Sequence, residues 1–288
     1  MTDQDTRRGI WLMILTTFIF AAQDALSRHL AGTYNTWMVV MIRYWFFAAF
    51  VILLATRKAG GVRAAAATTQ PVLQIIRGVL LALEVCVMVV AFTHLGLIET
   101  QAVFISYPLL IAALSGPVLG EKVGWRRWSA IAVGFAGVMV ILQPGMAVFA
   151  PAAILPLIAA GMFATYSLLN RYVARRDSSA TSFFWTGAVG CIVMTLLGAW
   201  WWEPMTAPDW GWMALLCITG ASGHYLLIRV YELAEASAVQ PFAYFQLGFG
   251  ALIAIPIFGE TIRPNVALGA AVVIAAGLFT LWRERHQG

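Results

Sequence analysis

Two stretches decide how this chain folds: Gln101 leading to Pro117-Val118-Leu119-Gly120-Glu121, and Gln240 leading to Pro256-Ile257-Phe258-Gly259-Glu260. The spacing from glutamine to proline to Gly-Glu is the same in both. Further out, a one-residue shift aligns Ala136-Gly137 with Ala276-Gly277. Near the start of each half, Phe20-Ala21 leads to Leu26 and Arg28, and Phe163-Ala164 leads to Leu169 and Arg171. Matches in this order and at nearly constant offset mark an internal duplication.

The solvent of the repeated unit follows from composition. Of 288 residues 61% are hydrophobic and 11% charged, whereas a soluble domain is about one quarter charged. So few charges cannot cover an aqueous surface, and a bilayer-spanning helix takes about 20 apolar residues. Hydropathy predicts spans at 10–30, 37–55, 72–93, 99–119, 127–143, 152–172, 181–201, 211–230, 238–258 and 265–282. The first apolar stretch follows Arg7 and Arg8 and is too long for a signal-peptide core, so it reads as a span. The expected architecture is all-α, with ten transmembrane helices in two five-helix repeats, residues 1–145 and 146–288. An odd number of spans per repeat turns the second upside down relative to the first, the arrangement of alternating-access transporters with a midplane site.

Fourteen Lys and Arg residues fall on one side of this topology, among them Arg57, Arg63, Arg126, Arg171, Arg175 and Arg229, against Arg28 and Arg263 on the other. The positive-inside rule then puts both termini in the cytoplasm of a bacterial inner membrane. It also accounts for the net charge of +5 without a nucleic-acid partner. Tryptophans such as Trp11, Trp37, Trp125, Trp200 and Trp282 sit near span ends, as interfacial anchors do. The expected partners are a small-molecule substrate and the lipid bilayer, with a monomer as the expectation and dimerisation left open by the sequence.

Ionisable groups inside a span normally face a cavity or a partner. Asp24 and Arg43 lie at similar depth in the first two spans, and an Asp24–Arg43 ion pair is geometrically reasonable. Glu84 is the deepest acid, suited to receive a proton or a substrate ammonium group, and His224 is a proton-responsive candidate. Arg77 and Arg229 are expected to snorkel to the interface. Aromatic wall candidates are Tyr44, Trp45, Phe104, Tyr107, Tyr166, Trp185, Tyr225 and Tyr244, with Gln246 beside them as a polar anchor. Tyr107-Pro108 should interrupt the fourth span, and Gly248 and Gly250 should loosen the ninth, making these the hinge candidates. Gly116 and Gly120 form a GxxxG suited to close helix approach. Glu121 and Glu260, at span ends, are expected to cap or anchor rather than to bind substrate.

The three cysteines are scattered singly, and the stretch Gly116–Lys122 reads GPVLGEK, which is not a Walker A loop. No metal-binding or hydrolase motif is present, so neither a cofactor, a metal nor catalysis is expected.

The paired five-span halves, each closing its fourth span with Gly-Glu before a small-residue-rich fifth, resemble the EamA-type branch of the drug/metabolite transporter superfamily. Within it the chain is similar to the YddG-type aromatic amino-acid exporters over roughly residues 10–285. The resemblance implies a basket of ten helices around a central cavity and export of small metabolites, aromatic and other neutral amino acids in particular. The halves differ in one respect: Pro108 is matched by Leu247. Proton-coupled efflux of cationic compounds, with Glu84 as the coupling carboxyl, is the alternative within transport. An intramembrane lipid-handling protein or enzyme is the alternative of another class.

Overall fold

A computed structural model describes residues 3–57, 60–120, 124–143, 151–233 and 239–285. Among the described residues the chain is helical and contains no strand. Helices α1 (Asp3–Thr33) and α2 (Thr36–Thr56) are followed by a short α3 (Gly61–Ala66). Next come α4 (Pro71–Leu95), α5 (Leu97–Phe104), α6 (Tyr107–Leu119) and α7 (Trp125–Leu142). The second half has α8 (Leu155–Val173), α9 (Ser179–Gly198), α10 (Ala207–Leu233), α11 (Phe245–Phe258) and α12 (Pro264–Arg285). Among the described residues seven stretches have the length and composition to cross a membrane, and Trp128–Leu142 and Pro264–Thr280 are shorter apolar helices.

The breaks obey local chemistry. Asn35 ends the α1–α2 turn by accepting from the Met38 amide at 2.9 Å, while its own amide reaches the Trp201 carbonyl and Glu203. The expected fourth span is two helices. The chain turns at Ile105-Ser106, and Pro108 opens α6, where its missing N–H costs nothing. Gly120 and Gly259, the glycines of the repeated Gly-Glu, both adopt left-handed backbone (φ 77° and 66°) and close α6 and α11. Gly120 therefore terminates a helix instead of serving the close packing expected of a GxxxG. Glu121 lies outside the described residues.

Packing pairs helices from the two halves: α1 with α10 and α11, α4 and α6 with α8, α2 with α9, and α7 with α12. One apolar core fills the space between α4–α7 and α11–α12, another that between α1, α2, α4, α9 and α10. Large apolar side chains also face outward, such as Leu53, Ile192, Leu196, Leu252 and Ile257, as a hydrocarbon solvent requires. Trp11, Trp125 and Trp200 are among the most exposed of the large apolar side chains. The polar residues that matter lie inside.

Candidate functional site

The centre of the bundle gathers side chains from α1, α2, α4, α5, α10 and α11. On α1, Asp24 Oδ2 accepts from Gln101 Nε2 of α5 at 2.9 Å and from Gln246 Nε2 of α11 at 3.0 Å. These amides reach the carboxylate because α5 and α11 pack together beside α1. Gln101 lies flat on Gly250, where a Cβ would overlap its amide. Gly250 thus provides clearance for a polar side chain rather than looseness, while Gly248 has open space around its Cα.

Arg43 of α2 and Glu84 of α4 are 9% and 4% exposed, yet among the described residues neither makes a hydrogen bond or ion pair. Both lie within Coulombic reach of one another and of Asp24. The Arg43 guanidinium lies against Gly220 of α10 beside the side-chain oxygen of Gln23; a Cβ at Gly220 would sit 3.1 Å from Arg43 Nε. The expected Asp24–Arg43 ion pair is not formed, since glutamine amides take the carboxylate oxygen instead. An ion buried without a partner is expensive in a low-dielectric interior. Two such groups within Coulombic reach of each other and of Asp24 make a site with unspent hydrogen-bonding capacity.

Around this centre, His224 is held between aromatic rings, 5.8 Å from Phe47 in a stacked arrangement and 5.3 Å from Phe20. Tyr44 is buried against Gly190 of α9, where a Cβ would overlap its ring. Next to Asp24, Gln101, Phe104, Tyr107, Pro108, Tyr244, Gln246 and Leu247 line a narrow, partly open cleft. Within it Gln101 Oε1 and Tyr244 OH are buried and unpartnered among the described residues.

Other predicted residues lie elsewhere. Trp185 donates to the Ala66 carbonyl at 3.1 Å, at the basic end of the bundle and away from the centre. Trp45 and Tyr225 are about two-fifths exposed on the outer face, Trp45 binding Thr195 and stacking on Trp202. Tyr166 packs 6.0 Å from Phe163 and faces Arg77. Arg77 does not snorkel: it is 1% exposed, bonded to Gln74 and Asn170, with Tyr166 5.3 Å away. Glu260 is a cap, as expected, but of another helix: its oxygens accept from the Leu97 and Ile98 amides at 2.8 and 2.9 Å, and it pairs with Arg28. The sequence reading missed Gln23 as a site residue and used Gln101 only as a repeat marker. A glutamine at mid-span was the available signal, since it too needs a partner in hydrocarbon.

The EamA-like transporter family matches residues 7–143 and 150–282. The chain belongs to that family. This member is 26% identical over 280 residues to a protein of Rickettsia prowazekii named as an S-adenosylmethionine uptake transporter, covering 96% of this chain and 93% of that one. It is 30% identical over 253 residues to a riboflavin transporter of Rhizobium johnstonii, covering 85% and 81%. A solved structure with 16% identity shares the fold over 95% of this chain and 97% of its own, with a TM-score of 0.64. The EamA-like protein is therefore a membrane-spanning, multi-pass transporter.

Proposed function

We propose that this transporter is a secondary carrier of the bacterial inner membrane. Its cargo is a small zwitterion that bears an extra cationic centre and a planar ring, of the S-adenosylmethionine class. The observation that carries the reading is the pair of buried ionisable groups without a contact partner, Arg43 and Glu84, beside the amide-held Asp24. S-adenosylmethionine presents an ammonium, a sulfonium and a carboxylate. Against the carboxyls of Asp24 and Glu84 and the guanidinium of Arg43, that is a charge mirror image. The ring would enter the neighbouring cleft, between Phe104, Tyr107 and Tyr244. The relative named for uptake of S-adenosylmethionine supports the same cargo. Riboflavin lacks the fixed cation this centre asks for.

We read the ten predicted spans as two inverted halves that rock about this site. The packing supports this. Exchanging halves converts the α1–α10 contact into α8–α4 and α1–α11 into α8–α6, while α2–α9 and α7–α12 map onto themselves. The two-part family match, over 7–143 and 150–282, supports it too. No nucleotide is consumed, and the cargo gradient sets the direction, inward or outward. Aromatic amino acids remain the second reading, favoured by the ringed cleft; they share the cargo's zwitterion but not its second cation.

The test is counterflow in proteoliposomes. Preloaded unlabelled S-adenosylmethionine should accelerate entry of the labelled compound, with phenylalanine, tyrosine and riboflavin competing weakly. Imposing a pH gradient reports whether protons are coupled. Folded protein that exchanges tyrosine and ignores S-adenosylmethionine would return the cargo to the amino-acid reading.

A further inference from the structure

A guanidinium sealed inside a membrane helix is ordinarily matched by a carboxylate, because direct neutralisation is what offsets its desolvation. Arg77 of α4 is among the most deeply buried large side chains, at 1% exposure. Its terminal nitrogens donate to two neutral acceptors, the side-chain oxygens of Gln74 and Asn170. Its Nε has no partner, and among the described residues no ion pair reaches it. The neighbouring acid, Asp177, is engaged otherwise: Thr68 and Gln74 donate to its Oδ2, the latter at 2.7 Å. The fold thus holds Arg77 by Gln74, Asn170 and the Tyr166 ring, leaves one N–H unpartnered, and keeps Asp177 within Coulombic reach without an ion pair.

The position matters as much as the charge. Arg77 sits about 10 Å along α4 from Glu84, seven residues at 1.5 Å each, toward the end where the basic connections lie. A continuous aromatic wall joins it to the central cleft: Tyr107 to Phe163 at 4.9 Å, Phe163 to Tyr166 at 6.0 Å, and Tyr166 to Arg77 at 5.3 Å.

We propose that Arg77 is a second station for the carboxylate of the cargo, occupied as cargo moves between the central cluster and the basic face of the membrane. This rests on the zwitterionic cargo proposed above. A guanidinium held open by two amide carbonyls can form a charge-assisted bond to a passing carboxylate and release it, because no acid in direct contact must be displaced. Tyr166, which the sequence suggested for the central site, belongs to this station instead.

The experiment compares labelled S-adenosylmethionine with its decarboxylated counterpart in proteoliposomes of wild type, Arg77→Gln and Asn170→Asp. Asn170→Asp is the sharper variant, since it keeps the shape and the acceptor but gives Arg77 a resident counter-ion. A merely structural cross-link between α4 and α8 would survive that change or tighten. The station predicts that both variants raise KM for the carboxylated cargo about tenfold, one charge-assisted bond's worth, and leave the decarboxylated cargo within about twofold. Parallel losses for both cargoes, or no change for either, overturn the proposal. If Arg77→Gln fails to fold, Asn170→Asp decides alone, with its melting temperature as the check on folding. Wild type that carries neither compound refutes the cargo reading itself, and with it this station.

Discussion

Replacing Glu260 by alanine is expected to weaken the molecule at a point far from position 260 in sequence. Helix α5 begins at Gly96, whose backbone (φ 85°, ψ 175°) starts the helix without any side chain to cap it. The cap comes from just beyond α11: Glu260 accepts from the amides of Leu97 and Ile98 and binds Arg28. Losing a side-chain cap costs about 0.5–2 kcal/mol, and an anion at a partly buried helix N-terminus contributes up to about 2 kcal/mol. Together with the orphaned guanidinium, Glu260→Ala should cost about 3 kcal/mol. Arg28→Ala should cost about 2 kcal/mol, from the ion pair and from its position 4.1 Å over the Phe258 ring. The double variant should lose about 1 kcal/mol less than the sum, because the pair is counted twice. Amide exchange in detergent micelles reads this locally: protection at Leu97 and Ile98 should fall by about two decades in Glu260→Ala. Glu260→Gln, keeping one acceptor oxygen, should fall between. Unchanged exchange at those two amides would refute the borrowed-cap account, whatever happened to global stability.

Glu84→Gln should leave the melting temperature close to wild type, since no described residue hydrogen-bonds Glu84, yet abolish most counterflow; full transport with unchanged pH dependence would remove Glu84 from the mechanism. Gly190→Ala drives a methyl into the Tyr44 ring and should separate α2 from α9 at about 1–3 kcal/mol; a normal unfolding curve would show that the ring repacks freely. Asp177, in the turn between α8 and α9, bears on acid stability. Burial acts to raise its pKa, but bonds from Thr68, Gln74 and the Thr69 amide, with the nearby Arg77 charge, hold it below the usual carboxylate range. Its contribution is therefore present above the unfolded value of about 3.9 and lost as pH falls through the folded value. Asp177→Asn should flatten the acid limb below about pH 4, and coincident acid titrations for variant and wild type would contradict this.

Much of the architecture was legible because lipid imposes one-dimensional rules. A run of apolar residues must be a helix, and helix ends must carry Gly, Pro or charge, so spans and breaks could be read along the chain. Gly120 and Gly259 were visible as repeat markers, and their left-handed backbone gives the physical reason for their recurrence. Depth in the membrane was equally legible, which is why Asp24, Arg43 and Glu84 emerged together. Partnership was not. The Asp24–Arg43 pair, inferred from equal depth, gave way to Gln101 and Gln246, which approach from helices 77 and 222 residues away in sequence.

By itself the sequence determined the solvent and most of the helices, which follow from composition, periodicity and local backbone preference, and its resemblance to EamA-type transporters pointed to the family. Only the tertiary structure decided which way each side chain faces. It sent Trp185 and Tyr225 away from the centre, buried Arg77 against neutral amides, and lent Glu260 to the helix that starts at Leu97. The reason is that an apolar helix has no amphipathic stripe to mark its inner face. Rotation about the helix axis, and so the choice of partners, is fixed by packing against distant segments, which spacing along the chain does not encode.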